Sequence, residues 1–190
     1  MTTFIALLRG INVSGHNMIP MVGLRELCSG LGYDQVATYI QSGNVVFTGA
    51  GKAAAVESIL EEAIEKQFGF NIPVIVRMAE QWPSYLKGNP FPELSEREPN
   101  HVLMGLSKAR PAKGAVAALR ERATAGEQIE MVGDALWIYF ADSIARSKLS
   151  PAVLDRLVGS SVTARNWRTV QQLASMAKAA VPRGREPGNE

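Results

Sequence analysis

Val36-Ala-Thr-Tyr-Ile-Gln41-Ser-Gly-Asn44-Val-Val-Phe-Thr48 decides the fold. Two runs rich in β-branched and aromatic residues, 36–41 and 44–48, flank Ser42-Gly43, a two-residue hairpin signal. On the N-terminal side, Leu24, Leu27, Cys28 and Leu31 recur at helical spacing, opened by Pro20 and ended by Gly30 and Gly32. The apolar run 4–8 before them reads as a strand. On the C-terminal side, Val56, Ile59, Leu60, Ala63, Ile64 and Phe68 form a helical stripe closed by Gly69. A strand follows at 72–78, with Pro73 near its start as an edge strand tolerates. Glu57, Glu61, Glu62 and Glu65 read as the solvated face of the second helix. The order is β-α-β-β-α-β in about 78 residues, the split βαβ or ferredoxin-like pattern with an antiparallel sheet.

The second half repeats the order loosely. Residues 80–100 read as a connector, with prolines at 83, 90, 92 and 99 close around it. Strands are expected at 101–106, 127–132 and 135–140, the last two joined by Gly133-Asp134, and a helix at 111–122. Helices are expected at 151–158 and 167–180. Thr163 or Asn166 would cap the last one, with Trp167 packed into the core. The reading is therefore α+β: two ferredoxin-like subdomains with antiparallel sheets, 1–79 and a degenerate 101–181, an extra C-terminal helix, and a polar tail at 182–190.

The chain has 190 residues, 46% hydrophobic and 20% charged, the profile of a globular protein. Residues 1–140 hold 12 basic and 14 acidic side chains, and residues 141–190 hold 8 basic and 4 acidic, so the net +2 is concentrated near the C-terminus. A single cysteine, Cys28, excludes an intrachain disulfide. No stretch approaches the roughly 18 apolar residues of a membrane helix, and the apolar run at the N-terminus stops at Arg9, so a cytoplasmic protein is expected.

Topology locates a candidate site. In this fold the loop after the first strand and the hairpin between strands two and three lie at the same edge. Arg9, Gly10, Asn12, Gly15, His16 and Asn17 should therefore meet Gln41, Ser42 and Asn44. Gly10 to Asn17 nearly matches the phosphate loop G-x-x-x-x-G-K-[ST], but His16 replaces the lysine and Asn17 the magnesium-binding hydroxyl. A backbone nest for an anion beside Arg9 stands against a tight crossover loop that needs glycines only for its shape. Lys148, Arg165 and Arg168 lie in the basic C-terminal part, where guanidinium groups and Trp167 offer phosphate or base contacts. The two histidines have no metal-ligand spacing with Cys28, and no cofactor motif is complete. No acid–base pair is visible, so no catalytic residue and no reaction are assigned.

Ala6-Leu-Leu-Arg-Gly-Ile-Asn-Val13, Thr38-Tyr-Ile-Gln-Ser-Gly-Asn-Val-Val-Phe47, Asn89-Pro-Phe91, Arg146-Ser-Lys-Leu149 and Thr163-Ala-Arg-Asn-Trp-Arg-Thr-Val170 together resemble the bacterial domain-of-unknown-function family 1697, over about residues 3–177. The resemblance implies two ferredoxin-like α+β subdomains and no assigned activity or cofactor. The Gly-Lys-Asn usual in that family's first loop stands here as Gly15-His16-Asn17. The expectation is a protein that binds an anionic small ligand, a nucleotide or phosphorylated metabolite, at these polar loops. The alternatives are an RNA- or single-stranded-DNA-binding module, and an enzyme of unrecognised class relying on Lys148, His16 or arginine residues. Nothing in the sequence fixes the oligomeric state.

Overall fold

The computed structural model describes residues 1–180; the expected tail at 182–190 lies outside the described residues. The elements of the first half are β1 (Thr2–Leu8), α1 (Met21–Gly30), β2 (Asp34–Tyr39), β3 (Asn44–Gly49), α2 (Ala53–Phe68) and β4 (Val74–Met78). Those of the second are β5 (Val102–Ser107), α5 (Ala115–Arg122), β6 (Gln128–Val132), β7 (Ala135–Tyr139), α6 (Pro151–Val158) and β8 (Val162–Asn166), with α7 (Trp167–Ala179) appended. The sheets have the orders β2-β3-β1-β4 and β6-β7-β5-β8, and every pairing is antiparallel. The protein is α+β, with two ferredoxin-like subdomains and a C-terminal helix.

Four local expectations are corrected. Residues 80–100 are not a bare connector: a 3-10 turn (Ala79–Gln81) leads into α3 (Trp82–Lys87) and α4 (Pro92–Arg97), two short helices that place proline in the first turn. The hairpin loop between β2 and β3 has four residues rather than two, because Tyr39 pairs directly with Asn44. Ile40 and Gly43 take left-handed φ values of 48° and 75° to close it. Residues 162–166 form a strand where none was expected. β8 completes the second sheet, so the copy is topologically whole, and α7 begins at Trp167 as expected, with Asn166 rather than Thr163 as its cap, its side chain accepting from the Thr169 N–H. Finally, Glu57 and Glu61 are not solvated ornaments of α2. Glu57 is buried, and the two carboxylates accept the Val76 and Val74 N–H groups at 2.8 Å each. Those amides face outward from β4, the edge strand, and need acceptors that no further strand supplies.

Strand alternation builds three cores. Phe4, Ala6 and Leu8 of β1 face α1 and α2, while Leu136 and Ile138 of β7 face α5 and α6. The opposite faces of both sheets, with Ile5, Leu7 and Ile75 from one and Met104, Leu106 and Trp137 from the other, share a central cluster with α3 and α7. Trp82 anchors that cluster by donating from Nε1 to the Val170 carbonyl at 2.9 Å, and Trp167 packs against it at 5.8 Å between ring centroids from Trp137. Both helix-free sheet faces are thus covered. No helix among the described residues is long and apolar enough to cross a membrane.

Candidate functional site

The loop after β1 and the β2–β3 hairpin do meet. Leu8 N–H donates to the Gly43 carbonyl at 2.8 Å, and Asn12 Nδ2 to the Gln41 carbonyl at 2.8 Å. The same Asn12 side chain also exchanges bonds with the Ile19 N–H and carbonyl, at 2.8 and 3.0 Å. Asn17 Nδ2 donates to the Gly10 carbonyl at 3.0 Å. Left-handed φ values at Gly10, Asn12, Ser14, Gly15 and Asn17 wind the loop tightly. Its Asn12 and His16 amides are spent on the Asn17 and Val13 carbonyls within the loop. The Asn12 and Asn17 side chains, expected as ligand contacts, therefore hold the loop together. Apolar ones face outward instead: Val13 is 59% exposed, Met18 57% and Ile40 50%. Gly15 and His16 sit at the exposed tip, and Gln41 is exposed on the hairpin.

The two arginines assigned to this edge join the subdomains. β8 points Thr163 and Arg165 to the inner face of its sheet, and Arg165 reaches across to the first subdomain. Its Nε donates to Asn44 Oδ1 at 2.5 Å, one terminal nitrogen to Thr163 Oγ1 and the Ala164 carbonyl at 2.8 and 2.9 Å, and the other to the Leu8 and Ser42 carbonyls at 2.8 and 2.9 Å. All five N–H groups have neutral acceptors and no carboxylate is among them. Burial lowers the guanidinium to about 10. Asn44 is held in turn by Nδ2 donating to the Tyr39 carbonyl and Ser42 Oγ, at 2.9 and 3.0 Å. Arg9 crosses the same joint, with Nε to the Val162 carbonyl at 3.0 Å and a terminal nitrogen 2.6 Å from Asp155. Lys148 and Arg168 are exposed and make no recorded polar contact with this cluster among the described residues.

The topological rule that locates this edge applies equally to the second subdomain. There the loop after β5, residues 108–114, and the β6–β7 turn at Gly133-Asp134 border an open cleft of about 540 Å³. Arg77 from β4, with Lys108 and Arg110 from the loop, bring three cations to its wall, and Asp134 brings one carboxylate. Pro111, Val116 and Met131 supply an apolar side. Arg77 is fixed by bonds to the Val76 and Ser107 carbonyls at 3.0 and 2.9 Å, and its Nε lies 3.2 Å from Asp134 Oδ2. Behind the wall, Glu61 pairs with Lys108, and Glu57 stands 3.8 Å from Arg77. Burial pushes the Glu57 carboxyl up, against the partial relief given by Lys108 and Arg77. Tyr85, whose hydroxyl donates to Asp134 at 3.1 Å, is raised to about 12 by burial and by that carboxylate. Arg110 makes no polar contact among the described residues. Sequence reasoning missed this cleft although its rule was in hand. The loop and turn of the second copy were legible, whereas Arg77 arrives from the other subdomain by a packing that no local pattern encodes. Among the described residues, no group of three or more His, Cys, Asp or Glu side chains is placed to hold a metal.

Fold and site together define a two-subdomain, ferredoxin-like α+β protein with a joint at one loop edge and a cationic cleft at the other. The chain belongs to the family described as "Protein of unknown function (DUF1697)", which it matches over residues 1–137. Among solved structures it is similar to the conserved bacterial protein SP0830 from Streptococcus pneumoniae, at 24% identity and a TM-score of 0.72, over 93% of this chain and 98% of that one. That likeness carries the fold. No curated protein matches.

Proposed function

We propose that this protein binds a small anionic ligand, a nucleotide or other phosphorylated metabolite, and that the ligand sits in the cleft of the second subdomain. The observation that carries the reading is the cleft wall itself: around about 540 Å³, Arg77 and Lys108 are backed or faced by Glu57, Glu61 and Asp134, while Arg110 makes no polar contact among the described residues and is left to meet an anion. That volume lies in the range of small-molecule sites, and an apolar lining with a few placed charges is their usual composition. The first-subdomain loops support the reading less directly, because Arg9 and Arg165 already hold protein groups there. A nucleic-acid module is disfavoured by the packing. The sheet face on which ferredoxin-like domains stack bases is the face each subdomain buries in the central cluster.

The test is a thermal-shift and calorimetric screen of nucleotides and phosphorylated metabolites against the full chain and Arg110→Ala. Stabilisation by at least one anion, weakened severalfold in the variant, is expected. No shift with any anion, or an equal shift in both proteins, overturns the reading.

A further inference from the structure

We infer that Asp134 is the internal stand-in for the ligand's anionic head, so that the cleft selects an ester with one anionic head and an apolar body. This rests on the reading that the cleft binds an anion. Arg77 is the only cation of the wall pinned by two backbone carbonyls, those of Val76 and Ser107, and so it presents a fixed donor rather than a mobile charge. What occupies its Nε is a carboxylate on a two-residue turn, 49% exposed at its side chain and 3.2 Å away. Charge-assisted bonds in well-formed pairs run nearer 2.7–2.9 Å. The Arg77–Asp134 contact is therefore long and open to water; Asp134 Oδ2 keeps the Tyr85 hydroxyl at 3.1 Å as a second partner, so a better-placed phosphate or carboxylate replaces it at Arg77 without leaving it unpaired. One proton of the Arg77 terminal nitrogen that bonds Ser107 has no acceptor among the described residues, so a two-oxygen head gains a second bond that Asp134 does not make. Beyond the head, Pro111, Val116 and Met131 offer apolar surface, and the wall's remaining cations are Arg110 and the Glu61-paired Lys108. An uncharged body fits there, whereas a second anionic group would meet Arg110, because Lys108 is already paired with Glu61.

Isothermal titration of the full chain with phenyl phosphate, adenosine 5′-monophosphate, inorganic phosphate and adenosine tests this, in wild type and Asp134→Asn. Asparagine keeps the turn chemistry and removes the competing charge. The expected result is binding of both esters, at least tenfold weaker binding of inorganic phosphate, none of adenosine, and a three- to tenfold gain in ester affinity in Asp134→Asn. Ester binding weakened by Asp134→Asn would show that Asp134 contacts the ligand and overturn its role as stand-in. Inorganic phosphate equal to the esters, or adenosine binding as well as its phosphate, would overturn the two-part ligand. Absence of binding by every anion to both proteins would overturn the anion site itself, and this inference with it.

Discussion

Arg165 Nε donates to the Asn44 side-chain oxygen at 2.5 Å, across the joint between the two sheets. This contact ties the edge strand β8 to the Ser42-Gly43-Asn44 corner of the β2–β3 hairpin. The guanidinium satisfies the Leu8 and Ser42 carbonyls, which belong to the first subdomain, while bonding Thr163 and Ala164 of its own strand. Removing it leaves several buried acceptors without donors. Arg165→Ala is expected to destabilise the protein by about 3–5 kcal/mol. Arg165→Lys should recover little of that, since three donors in a different geometry replace five. Denaturant unfolding monitored by tryptophan fluorescence checks both. A loss within about 1 kcal/mol for alanine would mean that water replaces the guanidinium without cost.

Much of this fold was legible because period and turn chemistry agree locally. The alternation in β1 and β3, the stripe of α2 and the Gly133-Asp134 turn each announce themselves within ten or so residues. What stayed hidden was tertiary. Val162–Asn166 has only five residues, runs directly into a helix and contains an arginine, so nothing local marks it as a strand. The protein partners of Arg9 and Arg165 stayed hidden for the same reason. A cation beside a glycine loop has the same sequence whether it faces a ligand or the other half of the chain.

Gly43 is tightly packed inside the first subdomain, against β1 and the loop after it. Its φ is 75°, and a Cβ there would stand 2.7 Å from both Leu8 Cβ and Ile11 Cδ1. Gly43→Ala should cost about 2–3 kcal/mol, from the left-handed backbone and the displaced core together. Gly10 has a similar φ of 66° but open space around it, so Gly10→Ala should cost only about 1 kcal/mol. The comparison of the two midpoints separates steric from backbone strain, and equal costs would remove the steric part.

Cys28 lies fully buried on the inner stripe of α1, and burial pushes its thiol up to about 12. It should not react with a disulfide reagent at pH 8 in native buffer and should react completely in denaturant, with a native rate set by opening of the fold. The sign of the pH effect follows from the raised value. The neutral thiol's contribution is intact below the ordinary value of 9.0 and is lost as pH rises toward about 12, because the unfolded chain ionises first. Rapid native labelling at pH 8 would refute the burial argument.

Glu57 tests whether the edge strand or the cations dominate behind the cleft. Its carboxylate accepts the Val76 N–H at 2.8 Å, and a chain without that acceptor leaves a buried amide unpaired, so Glu57→Ala should cost about 1–3 kcal/mol. Glu57→Gln keeps an acceptor oxygen and removes the charge. Because burial raises the carboxyl above its ordinary 4.5, native Glu57 holds its proton to higher pH than the unfolded chain does. Wild-type stability contributed by this group is therefore full below the ordinary value and falls as pH rises through the raised one. The melting temperature of Glu57→Gln relative to wild type should accordingly improve between pH 4 and pH 7. A shift of opposite sign over that step would mean that Arg77 and Lys108 outweigh burial and that the carboxylate is held ionised as their counter-ion.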